Sequence, residues 1–112
     1  MSFADTLSQS LTLPCGVTLP NRFGKSAMSE TLGTIDNHVT EELVRLYGRW
    51  ADGGTGLVIT GNVMIDQRHL GEPHNVAVED ERDLAMLKRW AEAGTEYMNF
   101  YTKATPTTWN RS

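Results

Sequence analysis

The chain has 112 residues, room for one small domain, with 39% hydrophobic and 21% charged residues, and this composition lies outside the disordered range. Ten basic against fourteen acidic side chains leave a net charge of −4, which argues against a nucleic-acid partner, because no basic surface is available to displace counterions. No run approaches the roughly 20 apolar residues of a membrane helix, and Met1–Asp5 lacks the basic region and apolar core of a signal peptide, so no membrane partner and a cytoplasmic location are expected.

Leu11-Thr12-Leu13 and Val17-Thr18-Leu19 flank Pro14-Cys15-Gly16 and predict a short hairpin closed by a turn. Cys15, the single cysteine, has no internal disulfide partner and reads as a turn residue. Arg22 to Met28 follows as a candidate strand. Thr40 is a good N-cap, with Glu41 and Glu42 placing negative charge on the first helical turn. Leu43, Leu46, Tyr47 and Trp50 share one face of that helix, and Gly53-Gly54 stops it. The apolar run Gly56-Leu57-Val58-Ile59-Thr60 predicts a strand buried on both faces, as in a parallel sheet.

Residues 61–78 read as a long connection. Asp80 is the expected cap of a second helix running to about Ala93, with Leu84, Leu87 and Ala91 as its apolar stripe, Met86 and Trp90 beside it, and Gly94 as its stop. A third strand is expected next, for which Tyr97 to Tyr101 is the candidate, before a polar stretch from Thr102 to Ser112. The order hairpin, β, α, β, α predicts an α/β fold with parallel strands. Two parallel strands cannot bury both faces, so the chain reads as the beginning of a larger fold.

Gly53-Gly54-Thr55-Gly56 is not a dinucleotide loop, because such a loop follows a strand and opens a helix, and these glycines do the reverse. His69, Glu72 and His74 lie close together after Asp66, but no helix aligns them, so a solvated or substrate-facing loop is expected and no metal site. His38 is expected at the surface. In parallel α/β folds ligands gather at the C-terminal strand ends, here Ser26-Ala27-Met28-Ser29-Glu30 and Thr60-Gly61-Asn62-Val63. Small residues there suit either the approach of a flat ligand or tight packing.

Leu19-Pro20-Asn21-Arg22 running into Lys25-Ser26-Ala27-Met28, Leu46-Tyr47 leading to Trp50-Ala51-Asp52-Gly53-Gly54-Thr55-Gly56-Leu57, Thr60-Gly61-Asn62-Val63-Met64 and Pro73-His74-Asn75 occur in one order. Together they resemble the opening of the old yellow enzyme family, the NADH:flavin oxidoreductases. The resemblance covers about residues 10–95 and divides the chain into 1–95, the N-terminal part of an FMN-dependent barrel, and a divergent tail, 96–112. It implies the N-terminal portion of a (β/α)8 TIM barrel, incomplete here, since a whole barrel needs about 250 residues.

The implied cofactor is FMN, with NAD(P)H as hydride donor and an activated alkene, such as an α,β-unsaturated carbonyl, as the small-molecule substrate. By motif, Ala27, Met28 and Ser29 would lie along the isoalloxazine ring and Gly61 would contact it. Ser29 stands where relatives often place Thr or Cys against the flavin's polar edge, where a donated hydrogen bond would tune the potential. Ala27 stands where many relatives have proline. The third-strand Gln, the substrate-anchoring His/Asn pair, the proton donor and the phosphate-binding loops of the family have no counterpart here, so no catalytic residue is assigned. A catalytically inactive fragment and a small α/β binding domain remain alternative expectations.

Overall fold

The computed structural model describes residues 2–101, with side chains through Thr95. Its elements in chain order are α1 (Phe3–Ser8), β1 (Leu11–Thr12), β2 (Thr18–Leu19), β3 (Gly24–Lys25), α2 (Glu41–Asp52), β4 (Leu57–Val58), β5 (Val63–Met64), β6 (Val76–Ala77) and α3 (Leu84–Tyr101). The expected hairpin is present: β1 pairs antiparallel with β2, Leu11 opposite Leu19, and Cys15 is exposed in its turn. β3 and β4 pair in parallel, Gly24 with Leu57 and Lys25 with Val58, with α2 lying between them in sequence.

α1 has no counterpart in the sequence reading. Its signal is the spacing Ser2-x-x-Asp5, a capping box in which the Asp5 N–H donates to Ser2 Oγ and the Ser2 N–H donates back to the Asp5 carboxylate. The Arg22 N–H donates to the Leu7 carbonyl at 2.8 Å and ties this helix to the approach of β3.

α2 begins and ends where its residues dictate. Thr40 Oγ accepts from the Leu43 N–H and donates to the Leu32 carbonyl at 2.7 Å, so one hydroxyl both caps the helix and fastens the loop before it. Gly54, at φ 90°, takes the left-handed turn that follows the helix. Leu43, Tyr47 and Ala51 are its buried residues. They meet Val39, Val58, Val76 and Trp90 in one core, with Leu46 and Trp50 at its margin.

α3 departs from expectation in three ways. It starts at Leu84 rather than after Asp80, because the Asp80 carboxylate accepts from the Arg82 backbone N–H and guanidinium and is spent on a turn. The buried face turns on Trp90, flanked by Met86 and Leu87, while Leu84 is 60% exposed. Gly94 does not stop the helix: it lies beside Tyr47, where even an added Cβ would make ordinary van der Waals contact, and the helix runs on to Tyr101. Tyr97 to Tyr101 is therefore helical backbone, not a third strand. The polar stretch from Thr102 lies outside the described residues.

The connection 61–78 is also more ordered than a loop. β5 and β6 pair in parallel, Val63 with Val76 and Met64 with Ala77, and the Val78 N–H extends the ladder to the Met64 carbonyl at 2.7 Å. The expected two-sided burial of β4 holds on one side only, with Val58 at 2% exposure and Ile59 at 48%.

Thr40→Ala should destabilise the fold by about 1–2 kcal/mol, read from urea unfolding, whereas Thr40→Ser should keep most of the loss from appearing. Equal losses in both variants would mean that the methyl group, and not the capping hydroxyl, carries the effect.

Candidate functional site

The C-terminal ends of β3 and β4 lie side by side, as their parallel register requires. The strip Ser26–Ser29 is exposed, and Met28 and Ile59, one after each strand, are both half-exposed. This is an open apolar shelf with a polar rim.

Beneath the shelf lies a buried polar network that the apolar periodicity of α2 concealed. The Tyr47 hydroxyl accepts from the Gly61 N–H at 3.0 Å and from Lys25 Nζ at 3.4 Å, and donates to Glu30 Oε1 at 2.9 Å. Lys25 extends from β3 under the shelf, with Nζ 4.6 Å from the Trp50 ring centroid and 5.0 Å from that of Tyr47. Trp50 and Trp90 meet the Tyr47 ring edge-on at 5.0 and 5.3 Å. One helix residue thus fixes the ends of two strands. Burial pushes the Tyr47 hydroxyl well above the ordinary tyrosine range; the Gly61 N–H opposes this and the Glu30 carboxylate reinforces it. Burial likewise lowers Lys25, against the pull of Glu30.

Gly61 is required by close approach: a Cβ there would overlap the Met28 carbonyl oxygen and the Glu30 carboxylate. Of the two readings open for small residues at the strand ends, tight packing accounts for Gly61 without a ligand.

The rim is made by Ser29, Asn62 and Glu72. Ser29 Oγ donates to Glu72 Oε1 at 2.5 Å, and Asn62 Nδ2 donates to both oxygens at 3.3 Å. Glu72 is placed by its own loop, where its N–H donates to Asn75 Oδ1 at 2.8 Å, and Asn75 is buried. That loop is in turn docked on the segment after β3, through the Gly33 N–H to the His74 carbonyl at 2.8 Å and His74 Nδ1 against the Gly33 carbonyl at 3.0 Å. Thr31 and His74 carry positive φ there, 53° and 62°. Glu72 and His74 are thus engaged separately, and among the described residues no group of three His, Cys, Asp or Glu side chains converges as a metal site. His38, expected at the surface, keeps 36% of its side chain exposed and also pairs with Asp83 at 2.7 Å, linking the entry of α2 to that of α3.

The sequence reading placed Ala27, Met28, Ser29 and Gly61 together, and the fold brings them together. Asn62 stands among the strand-end residues and Glu72 in the loop read as solvated or substrate-facing, whereas Lys25 and Tyr47 are not read there as site residues. Tyr47 carried a signal in being the one polar-tipped residue on a buried helix face. The pairing of Glu72 with Ser29 carried none, because the two lie 43 residues apart.

Comparisons with known proteins sharpen this picture. No protein-family model matches the chain. An NADH-dependent flavin oxidoreductase of Hypocrea jecorina is 43% identical over 86 residues, covering 73% of this chain and 21% of the relative. A second, from Talaromyces variabilis, is 40% identical over 89 residues, covering 76% and 22%. The chain thus spans about a fifth of the length of the curated relatives it matches. Among solved structures, the old yellow enzyme homologue of Zymomonas mobilis superposes with a TM-score of 0.73 at 20% identity, covering 83% of this chain and 25% of that one. Morphinone reductase gives 0.70 at 23% identity, covering 81% and 23%. The last two similarities speak to the fold alone.

Tyr47→Phe should cost about 1–3 kcal/mol, because it strands the Gly61 N–H and a buried carboxylate oxygen. The effect should depend on pH. The folded state holds the Tyr47 proton above 10.0, where the unfolded chain releases it, so this group removes stability as pH rises past 10. Lys25 acts oppositely: its lowered folded value means that stability rises with pH up to 10.5. The Phe variant should therefore lose stability less steeply than the parent above pH 10.5. Parallel urea-midpoint curves for the two proteins would contradict the assignment.

Proposed function

We propose, from the premise that the chain belongs to the old yellow enzyme family of NADH:flavin oxidoreductases and carries its N-terminal segment, that the ends of β3 and β4 form the ring-facing part of an FMN site in a (β/α)8 barrel. The observation that carries this reading is the exposed strip Ala27-Met28-Ser29 beside Gly61, at the C-terminal ends of two parallel strands. Ligands of parallel α/β folds bind at that edge.

The residues present suit the ring. Met28 offers a half-exposed thioether, and sulfur contacts aromatic edges favourably. Ala27 keeps the surface low, and Ser29 with Asn62 supplies polar atoms along one side. Lys25 faces inward and stiffens the platform from below through Tyr47. Bound FMN supplies hydride transfer from NADH or NADPH to an electron-poor alkene such as an α,β-unsaturated carbonyl. The task of these residues is to position and flatten, and no group among them is placed to protonate a substrate.

The same residues do not suit a phosphate. Residues 26–30 and 60–64 contain no Lys, Arg or His, and Glu30 and Glu72 bring negative charge. The ring contacts should therefore supply the affinity of this chain, and the phosphate should add nothing to it. Fluorescence quenching should give weak and nearly equal dissociation constants for FMN and riboflavin. Submicromolar FMN binding with much weaker riboflavin binding would show that the affinity lies at the phosphate, and would overturn this placement.

A further inference from the structure

We infer that Glu72 is a positioning residue that makes Ser29 a hydrogen-bond acceptor, not a donor, at the ring edge, and so favours the oxidised flavin; the inference rests on the FMN reading. A serine hydroxyl has one proton. Here that proton lies between Ser29 Oγ and Glu72 Oε1, 2.5 Å apart, and the Asn62 amide donates to both oxygens. With its proton held by a carboxylate, Ser29 has only a lone pair to offer a neighbouring ring. That lone pair suits an N–H of the ligand, whereas a flavin oxygen, which needs a donor, gains nothing from it. Glu72 also sets a negative charge at the rim, which opposes the charge that reduction places on the ring.

Glu72 is held for this role rather than being a chance surface contact. Its backbone N–H is fastened to the buried Asn75, whose loop is docked on the segment after β3 through Gly33 and His74 and through Asn37 Nδ2, which donates to the Asn75 carbonyl at 2.9 Å. The loop cannot carry Glu72 away from Ser29 without breaking those bonds.

Two measurements on the full chain test this. The first needs no flavin: Hα–Hβ couplings should show one Ser29 χ1 rotamer in the parent and averaging in Glu72→Ala. Averaged couplings in the parent would overturn the hold of Glu72 on Ser29. The second compares the dissociation constants of oxidised and reduced FMN, whose ratio reads the potential shift even when binding is weak. Glu72→Gln should improve binding of reduced relative to oxidised FMN about tenfold, or about 30 mV for two electrons. Ser29→Ala should leave that preference nearly unchanged in the parent but reduce it in the Glu72→Ala background, where no side-chain oxygen at position 72 holds the hydroxyl proton. An equal effect of Ser29→Ala in both backgrounds would overturn the inference. If the parent binds FMN in neither redox state, the flavin reading falls together with the tuning, while the couplings still decide separately whether Glu72 holds Ser29.

Discussion

The arrangement of the strand ends depends on the hydroxyl of Tyr47. A tyrosine at a fully buried helix position must satisfy its oxygen or lose the desolvation energy of a polar group. Here the oxygen makes three bonds, to the Gly61 amide, the Lys25 ammonium and the Glu30 carboxylate. Those partners come from β3, the segment after it and the segment after β4. A ladder of two residues per strand would fix the sheet weakly, so the shared hydroxyl does what more ladder bonds do in a longer sheet. The aromatic rings of Trp50 and Trp90 hold the Tyr47 ring edge-on, which fixes where the hydroxyl can be.

This constraint separates two layers of the site. The lower layer is buried: Lys25, Glu30 Oε1 and the Gly61 N–H converge on the Tyr47 hydroxyl, while Glu30 Oε2 is buried without a hydrogen-bond partner. The upper layer is exposed: Ala27, Met28 and Ser29, with Asn62 and Glu72 at the rim. Gly61 belongs to both, since its amide reaches down to Tyr47 and its missing side chain admits the Met28 carbonyl. The rim is fixed from a third direction by the 71–75 loop, so a flat ligand on the shelf would meet groups whose positions are set before it arrives. Such preorganisation is what a redox cofactor site requires of its protein.

Much of this was legible in the sequence, and the reasons differ by element. α2 declared itself through Thr40, its two glutamates and the glycines after it, because caps and stops are local chemistry. The parallel pairing of β3 and β4 followed from strand–helix alternation, and the strand-end residues followed from where parallel folds place ligands. What failed was non-local. Asp80 looked like a cap, but Arg82 claimed its carboxylate. Gly94 looked like a stop, but it sits against Tyr47 inside a helix that continues past it. The β5–β6 pair joins two short segments whose pairing depends on loop 71–75 folding back, which no periodicity records. The hydrogen bonds of Tyr47 and Glu72 were hidden for the same reason, their partners being distant in sequence.

If the ends of β3 and β4, tied by Tyr47, form the proposed platform for a flavin ring, FMN should perturb the backbone there. Titrating the isotope-labelled chain with FMN and following its backbone amides by NMR tests this most directly. Shifts should concentrate at residues 26–29 and 60–63 and at Glu72, with α1 and the β1–β2 hairpin unaffected. Shifts centred elsewhere, or none at saturating FMN, would contradict it.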